Sequence, residues 1–307
     1  MRIKTIAFTL IIFLGALQLC AKNHALLIGI GDYNSQTTGW GILHGNNDVA
    51  LLESKLKSKG FNVKKLVDRK ATKRNIISAL ENLVSTTASG DVVYLHFSGH
   101  GQLIQDMNGD ENGDFDQSFV CYDACFSPNY KVAGQSYRGQ NHLIDDELFP
   151  YLDRLKRKVS TGGQVVVIFD TCYSEGADRG ETDDDPNPDS EVEWTTTTRG
   201  TDYEFQVNNS SETYLCTIKR PGNYSNGGGA ITIISACESD KRNYECKAKH
   251  SGKKYGSLSY CISKMLDSNV PMSQWSDYFI SCKYKPLGIA VLSSFSKTHK
   301  WNIICIR

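Results

Sequence analysis

An excess of charge of either sign is missing from this sequence: Lys plus Arg and Asp plus Glu each number 34 in 307 residues, a formal charge of zero. No global field favours a nucleic acid or an anionic membrane, so charge-based specificity has to be local. Long apolar runs are absent after the N-terminal segment, so no later stretch reaches the roughly 20 residues that a spanning helix needs. Internal repeats are absent too. Paired Cys-x-x-Cys spacing is missing, which argues against a structural zinc site.

What is present begins at the N-terminus. Arg2 and Lys4 precede an apolar run from Thr5 to Leu19, followed by Cys20-Ala21-Lys22. A short positive end, an apolar core and small residues after it read as a signal peptide over residues 1–21, giving a secreted or periplasmic protein. An uncleaved anchor or a buried strand is the alternative. Lipid attachment at Cys20 is disfavoured by the bulky Leu19 before it. Ten cysteines suit an exported chain. Removing Cys20 leaves nine, and an odd number points to one unpaired thiol. Cys121 with Cys125, or Cys237 with Cys246, lie close enough in sequence for local bridges.

The apolar periodicity predicts an α/β fold. His24 to Ile30, Asp91 to Phe97, Gln164 to Asp170 and Ala230 to Ser235 are short, nearly continuous apolar runs, as in strands buried on both faces. Phe61 to Val67 alternates like a further strand. Helices are predicted from Asn46 or Asn47 to about Lys59, from Thr72 to about Thr86, from Asp145 to Lys156, and near Ser257 to Asp267. The remainder holds a helix around Ser273 to Cys282 and one more strand. Strands alternating with helices imply a mainly parallel sheet covered on both faces. Residues 179–229 lose the pattern and read as a flexible linker. It separates a larger part, 22–178, from a smaller one, 230–307.

Two strand ends carry the chemistry. The Asp91 strand runs into Phe97-Ser-Gly-His-Gly101, and the Gln164 strand into Asp170-Thr-Cys-Tyr-Ser-Glu-Gly176. Ligands of open parallel sheets bind beyond the carboxyl ends of the strands, so His100 and Cys172 can share one cleft. Gly99 and Gly101 leave room for a peptide backbone beside His100. Imidazole can take the thiol proton and later return it to a leaving amine. The bland alternative is a satisfied core histidine and a buried structural cysteine. His44, His142, His250 and His299 lack this setting and read as surface or capping residues.

The order of His24-Ala-Leu-Leu-Ile-Gly-Ile30, Asn47-Asp-Val49, His96-Phe-Ser-Gly-His-Gly101, Phe169-Asp-Thr-Cys-Tyr-Ser174 and Ile234-Ser-Ala-Cys-Glu-Ser-Asp240 resembles the metacaspase-like branch of the caspase-fold cysteine peptidases. The resemblance covers nearly all of the chain after the signal segment. It implies a three-layer sandwich with large (p20-like) and small (p10-like) parts sharing one sheet. It also implies a catalytic dyad of His100 and Cys172, and an oxyanion hole from the backbone N–H groups of Gly101 and Cys172. Asp48, Ser98 and Asp170 match the family's acidic pocket, which implies cleavage after Arg or Lys by pairing with a guanidinium. Turn and helix-start roles are the alternatives for Asp170 and Asp48.

The chain departs from the family at Tyr173, Ser174 and Glu175, where His-Ser-Gly is usual, and at Glu238-Ser-Asp240, where an Asp pair is usual. No cofactor is needed for the chemistry, but calcium is implied as an activator. The matching acids are Asp116, Asp145, Asp146 and, displaced by one position, Asp178. Asp106, Asn108, Asp110, Asn112, Asp114 and Asp116 alternate as hard-cation ligands do, without meeting the EF-hand pattern. A solvated acidic loop is the alternative. Basic specificity would make the linker a substrate, with self-cleavage expected near Arg179 or Arg199. The partners are thus peptides or proteins with a basic residue before the scissile bond. Two other readings stay open: a clostripain- or gingipain-like peptidase, and a catalytically weak caspase-fold binding module.

Overall fold

The fold is taken from a computed structural model that describes residues 21–109, 114–173, 191–206, 228–236, 243–275, 290–293 and 304–305, the last two segments by backbone alone. The elements run β1 (Asn23–Gly29), α1 (Ser35–Thr38), α2 (Gly45–Ser58), β2 (Phe61–Val67), α3 (Lys73–Thr86) and β3 (Val92–Ser98). Next come β4 (Gly101–Gln105), β5 (Phe115–Val120), the short strands β6 (Lys131–Val132) and β7 (Gln135–Ser136), β8 (His142–Ile144), α4 (Asp145–Val159) and β9 (Gln164–Asp170). The rest are β10 (Val192–Thr198), β11 (Ala230–Ser235), β12 (Tyr244–Ala248), β13 (Lys254–Gly256), α5 (Ser257–Asp267), β14 (Ala290–Ser293) and β15 (Ile304–Cys305).

The central sheet has seven strands in the order β15-β14-β11-β9-β3-β1-β2. Its five strands from β11 to β2 are parallel, and β14 and β15 extend it antiparallel. The apolar runs are continuous because each strand feeds both faces in alternation. Leu26 and Ile28 join the core under α3 and α4, with Ile76, Leu80, Leu148 and Leu152. Ala25 and Leu27 join the core under α2 and α5, with Val49, Leu52, Leu258 and Ile262. Helices on both faces make the three-layer α/β sandwich. Among the described residues no helix is long and apolar enough to cross a membrane.

Three expectations change. The patternless segment 179–229 is structured over residues 191–206, where β10 pairs antiparallel with β12. The Thr195 to Thr198 run lacks helical or alternating apolarity because β10 is an edge strand, half-buried or exposed along its length. The polar stretch after His100 folds into a second sheet, β4-β5-β8. Cys121 and Cys125 are not bridged: their thiols point to the carbonyl oxygens of Phe119 and Thr37. Cys246 is likewise unbridged, and Cys237 lies outside the described residues. Most of the helix expected over 273–282 also lies outside them; residues 272–274 form a short 3-10 turn.

Candidate active site

His100 and Cys172 follow the carboxyl ends of β3 and β9, neighbouring strands that pair from Val92 opposite Gln164 to Ser98 opposite Asp170. Both residues are buried. The His100 ring stacks on Trp40 with centroids 4.8 Å apart and tilts against Tyr33. Its Nε2–H donates to the Gly41 carbonyl at 3.0 Å, which fixes the tautomer and leaves Nδ1 as the basic nitrogen. Nδ1 has no hydrogen-bond partner among the described residues. Burial pushes the imidazole down to about 4, against the hydrogen bond to Gly41, so the ring is neutral and able to accept a proton near pH 7. Tyr33 holds the loop: its hydroxyl accepts from the His100 N–H and donates to the Val120 carbonyl.

Gly101 starts β4 against the backbone of Cys172. A Cβ there would lie 2.5 Å from the Cys172 carbonyl oxygen and 2.7 Å from Thr171 Oγ1, so the approach needs glycine. The Gly101 N–H donates to the carbonyl oxygen of Arg199 at 3.0 Å. The peptide that joins Arg199 to Gly200 therefore meets the backbone beside His100 and Cys172.

The Arg199 side chain is completely buried. Its Nη1 donates to Ser98 Oγ at 2.6 Å and to the Asp170 carbonyl at 3.1 Å. Nη2 donates to Asp48 Oδ2 and Glu245 Oε1, each at 2.9 Å. The Asp170 carboxylate stands 3.8 Å from Nη1. It is turned instead toward Asn243 Nδ2 and toward the N–H and hydroxyl of Ser259, all of which donate to it. Asp48 also accepts from Ser98 Oγ and from the Gly256 N–H. Asp48, Ser98 and Asp170 thus meet around one guanidinium, and their neighbours fix each carboxylate.

Glu245, on β12, was not singled out from the sequence. It sits in a stretch without a motif and reaches the pocket only because β12 pairs with β10. His44 holds it, donating its backbone N–H to Oε1 while its Nδ1 contacts Oε2 at 2.5 Å. His44 does precede α2, but its side chain makes no cap bond. His142 is fully buried rather than at the surface, because Tyr137 and Gln102 satisfy both ring nitrogens. His250 is exposed and His299 lies outside the described residues.

Three carboxylates around one guanidinium cannot all be neutralised. Burial, reinforced by Asp170 and Glu245, pushes Asp48 up to about 6 against the pull of Arg199 and Ser98. Burial opposes the charge of Glu245 too, but Arg199 and His44 outweigh it and hold that carboxyl below its ordinary range. For Arg199 the three acids outweigh burial and strengthen its hold on the proton.

A second acidic cluster lies on the β4-β5-β8 sheet. Asp116 of β5, and Asp145 and Asp146 at the start of α4, bring carboxylate oxygens within 4.8 Å of one another, and all three are buried. Asn108 Nδ2 donates to Asp146, folding the acidic loop back on the cluster. Crowded buried carboxylates repel unless a cation or protons neutralise them, and an all-oxygen donor set suits a hard ion such as calcium. Asp178 lies outside the described residues, as do Asp110, Asn112, Ser174, Glu175 and residues 237–242. Tyr173 is buried against Phe119.

Helices on both faces of a mainly parallel sheet, with His and Cys past neighbouring strand ends and an acidic pocket between them, define an α/β protein with a thiol–imidazole site. A model of the caspase domain matches residues 22–279, and the chain belongs to that family. It is similar to Metacaspase-1B of Aspergillus fumigatus, at 32% identity over 163 residues, covering 50% of this chain and 35% of that protein. Metacaspase-1 of Schizosaccharomyces pombe is 28% identical over 165 residues, covering 51% and 35%. The chain thus matches about a third of the length of these relatives. Among solved structures, protein GSU0716 from Geobacter sulfurreducens aligns with a TM-score of 0.57 over 90% of this chain and 95% of that one. At 16% identity this is a likeness of fold.

Proposed function

We propose that this chain is a cysteine endopeptidase that cleaves after arginine, and less efficiently after lysine, with its own Arg199–Gly200 bond as the first substrate. One observation carries the reading: a single residue puts its guanidinium among Asp48, Ser98, Asp170 and Glu245 while its carbonyl accepts from the Gly101 N–H. An arginine fork uses four acceptors here; a lysine ammonium is a point donor and matches fewer. A carboxylate in this pocket would face three others.

In the reaction, His100 Nδ1 takes the Cys172 thiol proton and the thiolate attacks the Arg199 carbonyl carbon. The developing oxyanion is held by the Gly101 N–H and the Cys172 N–H. His100 then gives the proton to the Gly200 nitrogen, the C–N bond breaks, and a thioester remains. Water, deprotonated by His100, attacks the thioester. It releases the Arg199 carboxylate and restores the thiol.

Calcium, held by Asp116, Asp145 and Asp146 with Asp178 as a further ligand, would neutralise the acidic cluster and brace the sheet that carries Gly101. Export rests on the N-terminal pattern of Arg2, Lys4 and the apolar run after them. The test is an assay of peptides with Arg, Lys or Asp before the scissile bond, with calcium or a chelator, on wild type and Cys172→Ala. Cleavage after Arg by wild type alone is expected. Activity that survives Cys172→Ala, or a preference for Asp, would overturn the proposal.

A further inference from the structure

Beyond Arg199 the chain does not leave the molecule at once. It bulges outward, with the Tyr203 ring stacked on Phe126 at 5.0 Å and the Tyr203 carbonyl accepting from Gln102 Nε2 at 2.9 Å. It then returns to the sheet at Phe205, which bridges β4 in parallel opposite Ile104. The Phe205 N–H donates to the Leu103 carbonyl and its carbonyl accepts from the Gln105 N–H, both at 2.9 Å. Its side chain is fully buried. The ring meets Tyr137 edge-on at 5.5 Å and leans on His142 at 5.4 Å.

The walls of this recess are fixed by a run of hydrogen bonds. Asn141 N–H donates to the Tyr137 hydroxyl, which donates to His142 Nδ1. His142 Nε2–H donates to Gln102 Oε1, and Gln102 Nε2 donates to the carbonyls of Phe126 and Tyr203. Burial pushes His142 down to about 3, so the ring stays neutral in its one tautomer. Rotamers locked in this way present a preformed apolar slot, and edge strand β4 supplies backbone partners. Strand addition to such an edge takes affinity from the main chain and selectivity from the side-chain pocket.

We infer that β4 and the Tyr137–His142 recess form a substrate subsite on the leaving-group side of the scissile bond. It takes an aromatic residue six positions after the cleaved arginine, and Phe205 occupies it in the uncut chain. The inference rests on Arg199–Gly200 being the bond presented to Cys172. It deepens the specificity from one basic residue to a spaced pair, Arg followed at the sixth place by an aromatic. A peptide that ends just after the scissile bond lacks this contact.

The experiment uses enzyme carrying Phe205→Ala, which empties the subsite, and three quenched fluorescent peptides with the same arginine. One has Phe at the sixth residue after the scissile bond, one has Ala there, and one has Phe moved to the fourth. The first should be cut with kcat/KM about ten-fold above the other two, from burial of one aromatic side chain. If the alanine chain does not fold, as judged by circular dichroism, Phe205→Val carries the same assay, because valine leaves most of the slot open. Equal kcat/KM for the three peptides overturns the subsite. Failure to cut any of them instead overturns the arginine reading on which it rests.

Discussion

Replacing Arg199 by Gln, in a Cys172→Ala background where no bond can be cut, removes the guanidinium that faces Asp48, Asp170 and Glu245. Removing one partner of a buried ion pair costs about 3–5 kcal/mol, because a charge is left uncompensated. The low end applies here, since residues 191–206 lie on an edge and can lift away, letting water reach the three carboxylates. At about 2–4 °C per kcal/mol for a chain of this class, a loss of about 3 kcal/mol lowers Tm by about 6–12 °C at pH 7.5. The deficit has a sign in pH. Asp48 is already raised to about 6 beside Arg199; without the guanidinium it rises further. Its protonation therefore relieves the variant at a higher pH than the parent, so the gap narrows as pH falls from 8 toward 6 and stays narrow below it. Arg199→Lys keeps the charge but not the fork, and falls between the two. Differential scanning fluorimetry from pH 5 to 8 reads all three chains. A Gln variant melting within 2 °C of its parent across that range would show that the three carboxylates do not depend on Arg199.

Four further outcomes follow from the same geometry. A Cβ at Gly256 would lie 2.1 Å from Asp170 Oδ2 and 2.6 Å from Arg199 Cζ. Gly256→Ala should therefore lower kcat/KM for arginine peptides by about ten- to a hundred-fold; wild-type kinetics would show that the pocket lies elsewhere. His44→Ala frees Glu245 of a charge-assisted contact and should raise KM for arginine peptides about ten-fold with kcat little changed, a split that steady-state kinetics resolves. With an arginine in the pocket Asp48 lies near 6 and His100 near 4, so kcat, which reports the substrate-bound enzyme, should fall as pH drops through 6 while the base is still neutral; an acid limb at 4 would assign it to His100 instead. Calcium at a hundred times its Kd should add about 2.7 kcal/mol, a rise in Tm of about 5–10 °C. Asp146→Asn should abolish that rise, and calorimetric titration should show binding to the parent alone.

The strands and most helices were legible because burial on both faces writes itself as continuous apolarity. β2, β9 and β11 have the bounds read from the sequence, and so does α5. That Asp48, Ser98 and Asp170 would lie together was legible only through the family motifs, whereas His100 and Cys172 were marked also by the glycine-rich turns past two apolar strands. What stayed hidden depends on contacts between segments far apart in the chain. Glu245 meets Arg199 across 46 residues, and His44 across 201. The β4-β5-β8 sheet is built from strands of three to six residues that mix polar and apolar side chains, too short for any alternation to register. Residues 191–206 read as linker because β10 is an edge strand, half-buried or exposed along its length, and carries no periodic core face. The thiols of Cys121 and Cys125 are close in sequence, yet proximity along the chain says nothing of which way each side chain points.

If Arg199 and Gly200 lie in the site as the bond to be broken, the chain cuts itself there. Intact-mass and N-terminal analysis of the purified chain, incubated with calcium, tests it directly. A new amino terminus at Gly200 should appear in wild type and be absent from Cys172→Ala and Arg199→Gln. A chain that stays whole while cutting arginine peptides at full rate, or a first cut at another residue, would contradict it.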